Sequence, residues 1–251
     1  MTGALQNIWF EQKGHGIPLL YLHGLGESNQ WGEFLNYLSQ KTSVMFPNHP
    51  GFGASPFQSG IRTVKDLAML YKQFMDNVLK DTGQEKYAVV GSSLGGWIGA
   101  ELACADSARI SHLVLMDPAG IPPKEGLLRR DTLSQGLDDV MKDVSSRLES
   151  INGIEQMAKA LAVMIRNRTT FGYLAAENGM GDHSLLDRLK KMEINSFLIW
   201  GENDRVIDPR YSEFWRESLS ARTAFFPAGH TPHKEFPDVV SQKVLEFILT
   251  K

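Results

Sequence analysis

Residues 91–95 read Gly91-Ser92-Ser93-Leu94-Gly95, a G-x-S-x-G pattern. It directly follows a short apolar run, 87–91, and directly precedes a helix-forming stretch that begins at Leu94. In that context the motif makes a strand-turn-helix elbow, so tight that only glycine-sized residues fit around the central serine. Ser93 Oγ is thereby lifted off the end of a strand. The helix starting at Leu94 turns its positive end and free N–H groups to the same place, which favours a developing oxyanion. A plain Gly/Ser turn would use the same residues without chemistry, and Gly96 suits close helix–strand packing on either account. A serine hydroxyl is a weak nucleophile at its free pKa and needs a base within about 3 Å, commonly His. The base in turn needs a carboxylate to fix its tautomer. Candidate partners follow later: Asp204 in Gly201-Glu202-Asn203-Asp204, and His230 in Gly229-His230-Thr231-Pro232-His233, with His233 as a competitor. Asp117, after the apolar run 113–116, is a second candidate acid, although Asp117-Pro118 also suits a turn. Asp208, before Pro209, reads as a helix cap.

The elements that must position these residues are legible from hydrophobic patterning. Runs at 18–23, 43–47, 87–91, 113–116, 197–200 and 223–226 are continuously apolar, which suits strands covered on both faces. Amphipathic stretches at 64–79, 94–105 and 238–249 lie between them. The alternation predicts an α/β fold, a mostly parallel central sheet flanked by helices. An earlier pair of strands is expected within 5–12, as an antiparallel edge. Each motif follows a strand, so all converge on the carboxyl edge of the sheet, where open α/β folds bind ligands.

The alternation breaks between 119 and 191. Leu137, Val140, Met141, Val144, Leu148 and Ile151 keep helical spacing, as do Ile154, Met157, Ala158, Leu161, Met164 and Ile165. Leu185, Leu186, Leu189 and Met192 repeat the pattern. A helical cap over 119–191, inserted into a core of 1–118 and 192–251, is the expected organisation.

Composition bounds the function classes. A chain of 251 residues can bury one substantial core without staples. The formal net charge of −3 gives no electrostatic footprint for nucleic acid. The one cysteine, Cys104, excludes an intrachain disulfide and has no adjacent base to make it a nucleophile. No apolar run approaches the roughly 20 residues of a membrane span. The first residues, MTGALQNIWFEQKG, have neither a basic start nor an apolar core, so a cytoplasmic protein is expected. His15, His49, His112 and His183 show no metal-ligand spacing with a third partner.

Five motifs in order give a family likeness. They are His23-Gly24-Leu25-Gly26 after the expected third strand, Gly51-Phe52-Gly53-Ala54-Ser55 after the fourth, the Ser93 elbow, residues 201–204, and Gly229-His230. With them the chain resembles the α/β-hydrolase superfamily over nearly its whole length, in serine-nucleophile, carboxylesterase-like form. Ser93, Asp204, His230 is that family's order of triad partners. The resemblance implies Ser93 as nucleophile, His230 as base and Asp204 as acid, with His233 a neighbouring loop or pocket-rim residue. Some relatives place the acid where Asp117 stands. The implied oxyanion hole is the backbone N–H of Leu94 and of Leu25, with His23 structural beside it. No metal or organic cofactor is implied. The serine in place of a nucleophilic Asp argues against dehalogenase and epoxide hydrolase chemistry. Leu25-Gly26-Glu27-Ser28 replaces the Gly-Pro-Gly loop of ring-fission C–C hydrolases, and Asn48 replaces a common Asp as an expected turn residue.

The expected reaction is acyl transfer to water from a small-molecule carboxylic ester. Met141, Met157, Met164 and Met180, with Phe171 and Tyr173, would form an adaptable apolar acyl pocket, or equally the cap's own core. Trp31 and Trp97 are candidates for substrate contact by their closeness to the loop motifs, or else core residues. Arg129-Arg130, Arg166 and Arg168 read as solvated helix faces, which leaves an apolar, uncharged ester of short to medium acyl length as the default. A C–C hydrolase, lactonase, thioesterase or perhydrolase would use the same triad, and a low-turnover ligand-binding protein the same fold.

Overall fold

A computed structural model describes residues 8–123, 153–176 and 181–250. Its strands are β1 (Phe10–Lys13), β2 (Ile17–Leu22), β3 (Thr42–Pro47), β4 (Tyr87–Ser92), β5 (Ile110–Met116), β6 (Ser196–Gly201) and β7 (Arg222–Phe226). They form one sheet in the order β1-β3-β2-β4-β5-β6-β7. β1 pairs antiparallel with β3, and every other pairing is parallel. The helices are α1 (Glu33–Ser39), α2 (Val64–Thr82), α3 (Leu94–Asp106), α4 (Ile154–Ala175), α5 (Leu185–Leu189), α6 (Tyr211–Leu219), α7 (Pro232–Glu235) and α8 (Pro237–Leu249).

Both sheet faces carry apolar side chains because helices cover both. Leu20 and Leu22 of β2 join a core cluster with Leu67 and Phe74 of α2, Ile98 of α3, Leu185 of α5 and Trp215 of α6. Leu19 and Tyr21, one residue out of phase, join the opposite cluster with Phe34 of α1 and Val244 of α8. The two-residue period of a strand makes this division, and it is why these strands show no polar alternation.

Three sequence expectations change in the structure. The stretch at 94–105 is not amphipathic in place: α3 is buried on nearly every side, between the sheet, α2 and α5. Its Gly95, Gly96, Gly99, Ala100 and Ala103 are small enough to permit that close approach. A pair of early strands is replaced, among the described residues, by the one strand β1. The helical pattern at 185–192 shortens to α5, whose Leu185 and Leu189 are fully buried in the same cluster as α3. The pattern at 137–151, with Met141, and also Met180, lie outside the described residues. Among the described residues no helix is long and apolar enough to cross a membrane.

Candidate active site

Ser93 sits between β4 and α3 with φ 52° and ψ −112°, a conformation that non-glycine residues rarely adopt. The backbone around it is over-determined. Ser93 N–H donates to Met116 O at 2.9 Å, and Ser93 C=O accepts from Trp97 N–H at 3.1 Å and Ala119 N–H at 3.0 Å. The flanking glycines are required by contact. A Cβ on Gly91 would come 2.3 Å from Gly95 O, and one on Gly95 would come 1.9 Å from Leu22 O. The elbow expected from G-x-S-x-G is therefore formed, and α3 begins directly at Leu94.

Two loops bring partners to the serine. Ser93 Oγ lies 2.9 Å from His230 Nε2, and His230 Nδ1 lies 2.8 Å from Asp204 Oδ2. Asp204 is buried in the loop after β6, and its Oδ1 accepts from Val206 N–H at 2.8 Å and Ile207 N–H at 3.0 Å. Those two donors leave Oδ2 to receive the imidazole N–H, which fixes the His230 tautomer with Nε2 free to take the serine proton. Burial opposes a charged His230, but the Asp204 charge and hydrogen bond, with a contribution from Glu27, outweigh it and raise its pKa above the ordinary 6.5.

That direction sets a pH profile. Only neutral His230 can act as a base, so kcat/KM on an ester is expected to fall as pH drops through a midpoint above 6.5. A profile flat from pH 8 to pH 6 would remove His230 from the base role.

The competing residues have other engagements. His233 is buried with Nε2 3.2 Å from both Tyr21 Oη and Glu27 Oε1. His23 donates from Nδ1 to Gly24 O at 2.7 Å and accepts from His49 N–H at 3.1 Å, and burial pushes its pKa down to about 4. It is a neutral, structural histidine, stacked on His49 at 3.8 Å. Asp117 is buried behind Asp204, where Oδ1 accepts from Gly201 N–H at 2.8 Å and Oδ2 has no hydrogen-bond partner among the described residues. Burial and the nearby Asp204 charge push the Asp117 pKa well above the usual carboxylate range. Ligand-type atoms of Asp117, Asp204 and His230 lie within 4.8 Å of one another, but the His230 nitrogens are already engaged by Asp204 and Ser93. Asp208 accepts from Arg210 N–H at 2.9 Å, just before α6.

Of the substrate candidates, Trp97 is buried on α3, and Met164 is half-buried on α4. Trp31 donates from Nε1 to Asn36 Oδ1 at 2.7 Å, lies under the Lys13 ammonium and packs edge-on to Phe46. None of these partners belongs to the group around Ser93. Asn48 binds Asn29 and accepts from its N–H at 2.9 Å, the turn role expected of it.

Two residues that matter locally were not singled out by the sequence. Glu27 lies buried under the His-Gly loop. Asn167 on α4 donates to Ser28 Oγ at 2.9 Å and accepts from Gly53 N–H at 3.1 Å, tying that helix to two loops at the carboxyl edge.

Comparison with known proteins agrees with this fold. The family model for the alpha/beta hydrolase fold matches residues 17–237. The chain belongs to this family. Among curated α/β hydrolases, it is 33% identical to a pimeloyl-[acyl-carrier protein] methyl ester esterase of Legionella pneumophila (strain Paris), over 96% of this chain and 99% of that protein. A protein of the same name from Nitrosomonas europaea is 27% identical, over 93% of this chain and 96% of that one. Among solved α/β-hydrolase structures, a membrane phospholipase A described as a bacterial virulence factor superposes with a TM-score of 0.74 at 24% identity. That match covers 96% of this chain and 82% of the phospholipase chain, and it speaks to the fold alone. The named relatives agree with a carboxylic ester hydrolase.

Proposed function

We propose that this α/β hydrolase cleaves carboxylic esters through an acyl-enzyme on Ser93. The observation that carries the reading is the continuous Ser93–His230–Asp204 chain of 2.9 and 2.8 Å contacts at the carboxyl edge of the sheet. Ser93 Oγ attacks the ester carbonyl while its proton passes to His230 Nε2, and Asp204 stabilises the imidazolium. The N–H groups of Leu94 and Leu25 donate to the tetrahedral oxyanion. As that intermediate collapses, the alcohol leaves with the proton from His230. Water then attacks the acyl-enzyme by the same route, releasing the acid and free Ser93.

The substrate assigned is an uncharged ester with a short to medium apolar acyl chain, held under α4, with Met164 among its walls. The named relatives add methyl esters of acyl groups to the substrates worth testing. The tie from Asn167 to the loops at 28 and 53 supports α4 as part of a cover over the site. A cytoplasmic, small-molecule enzyme is the setting this implies.

The test is hydrolysis of p-nitrophenyl esters from acetyl to palmitoyl, together with methyl esters of the same acids. Turnover peaking at a short or medium chain is expected, with a fluorophosphonate label mapping to Ser93. A folded protein that cleaves no ester, or a label mapping elsewhere, would overturn the reading.

A further inference from the structure

Besides Asp117, the described residues hold a second buried carboxylate close to Ser93 that the triad does not use. Glu27 is 5% exposed, four residues after His23 in the loop that follows β2. Its Oε2 accepts from Tyr21 Oη–H and from Gly24 N–H, both at 2.9 Å. Its Oε1 accepts from Ser92 Oγ–H at 3.2 Å, faces His233 Nε2 at 3.2 Å and lies 3.9 Å from Lys234 Nζ. One side chain thus grips the end of β2 and its loop, the residue preceding the nucleophile, and the helix that follows His230. Burial opposes its ionisation, but the neighbouring His233 and Lys234 and the hydrogen bond from Gly24 N–H hold its pKa well below the usual carboxylate range. The group is an anion that accepts from Tyr21, Gly24 and Ser92.

The position of the loop gives this grip a consequence. A Cβ on Gly24 would lie 3.3 Å from Glu27 Oε1 and 3.4 Å from Ser93 Cβ. Gly24 therefore adjoins both the carboxylate and the nucleophile, and the next N–H along the chain is that of Leu25. The turn closes on itself as well, with Glu27 N–H donating to Gly24 O at 3.2 Å. Asn167 Nδ2 reaches the Leu25 carbonyl from the far side at 3.4 Å.

We propose that Glu27 is a positioning residue for ester cleavage: its carboxylate fixes the 24–27 turn and so aims the Leu25 N–H at the oxyanion that forms on Ser93. This rests on the acyl-enzyme reading above. A donor aimed at charge that appears only in the transition state changes kcat and leaves substrate binding alone. A buried charge kept only for folding would change stability and leave kcat alone.

Glu27→Ala and Glu27→Gln, assayed beside wild type on the best p-nitrophenyl ester, separate the two. Losing the aim of one oxyanion donor costs on the order of 100-fold. Glu27→Ala is expected to lower kcat by about that factor with KM changed less than about threefold. Affinity for a trifluoromethyl ketone, whose serine adduct mimics the tetrahedral oxyanion, is expected to fall in parallel. Glu27→Gln keeps an acceptor for Gly24 N–H and is expected to recover part of the loss. A folded Glu27→Ala protein with wild-type kcat, or with a loss confined to KM or melting temperature, overturns the proposal. If Glu27→Ala does not fold, Glu27→Gln decides: lowered kcat and ketone affinity at unchanged KM support it, and wild-type values of both overturn it. An inactive wild type would instead defeat the ester reading itself.

Discussion

Alanine in place of Ser93 is expected to lower kcat on the best ester by about a million-fold, equivalent to about 8 kcal/mol of barrier. In the proposed mechanism the hydroxyl forms the acyl-enzyme. Without it, His230 and Asp204 remain assembled with nothing to deprotonate, and residual rate comes from the oxyanion donors and binding alone. The elbow supplies a control for folding. Ser93 holds φ 52° and ψ −112°, where a side chain with a Cβ costs about 1–3 kcal/mol. Alanine keeps the Cβ and therefore the strain, so Ser93→Ala is expected to melt close to wild type. Ser93→Gly removes it, less the extra chain entropy of glycine, for a net gain of about 1 kcal/mol or 2–4 °C in Tm. Steady-state kinetics and thermal melts of both variants check this. A Ser93→Ala protein within 100-fold of wild-type rate would remove Ser93 from the chemistry, whereas a cooperative melt with no turnover would place the loss in the chemistry and not in the fold.

The features legible in the sequence share one property: each is local. The elbow, the continuous apolar strands and the loops that carry Asp204 and His230 are each specified within about ten residues, and the parallel sheet then brings their ends together. The illegible features are pairings across long separations. Glu27 sits in an unremarkable Leu-Gly-Glu-Ser stretch, and its network depends on Tyr21 and His233, which lie 212 residues apart. Asn167 reads as one polar position on an amphipathic helix, but its Nδ2 reaches Leu25, 142 residues away. The local pattern could also mislead. The stretch at 94–105 has polar Glu101 and apolar neighbours in helical register, yet Glu101 is buried, paired in two contacts of 2.8 Å with Arg188 of α5. A third layer packed over α3 made a surface face into an interior one, and the signal for it was that 94–105 is apolar nearly all round, with Glu101 its one polar residue. A signal for Glu27 was nonetheless present. A carboxylate four residues after a strand-end histidine, within a glycine loop, has no apolar surroundings in sequence to explain it, and its burial becomes intelligible only when the loop is folded against Ser93.

Asparagine at 204 and at 117 is expected to have opposite consequences, although both carboxylates lie buried on the same side of His230. In Asp204, Oδ1 is occupied by the N–H groups of Val206 and Ile207. An asparagine there must place its oxygen at that position, which turns its NH₂ toward His230 Nδ1. The imidazole is then driven to carry its proton on Nε2, facing Ser93, and ceases to be a base. About a 10⁴-fold fall in kcat is expected, the size known for inverting this tautomer. Asp117 has a raised pKa, from burial first and the Asp204 charge second, which favours the neutral acid. Asparagine imitates that state: its oxygen can keep the Gly201 N–H contact of 2.8 Å, and it tolerates the φ of 44° found there. Asp117→Asn is expected to stay within about tenfold of wild-type kcat, because no tautomer is inverted. Its stability has a definite sign. Between the unfolded pKa of about 3.9 and the raised folded value, the native state holds a proton that the unfolded chain has lost, so wild-type stability declines as pH rises. Asp117→Asn lacks that decline and is expected to be more stable than wild type at pH 7, with the advantage disappearing near pH 3. Chemical denaturation at the two pH values and kcat for both variants test the assignment together. If Asp117→Asn were the variant that lost 10⁴-fold and Asp204→Asn the active one, the acid of this hydrolase would be Asp117.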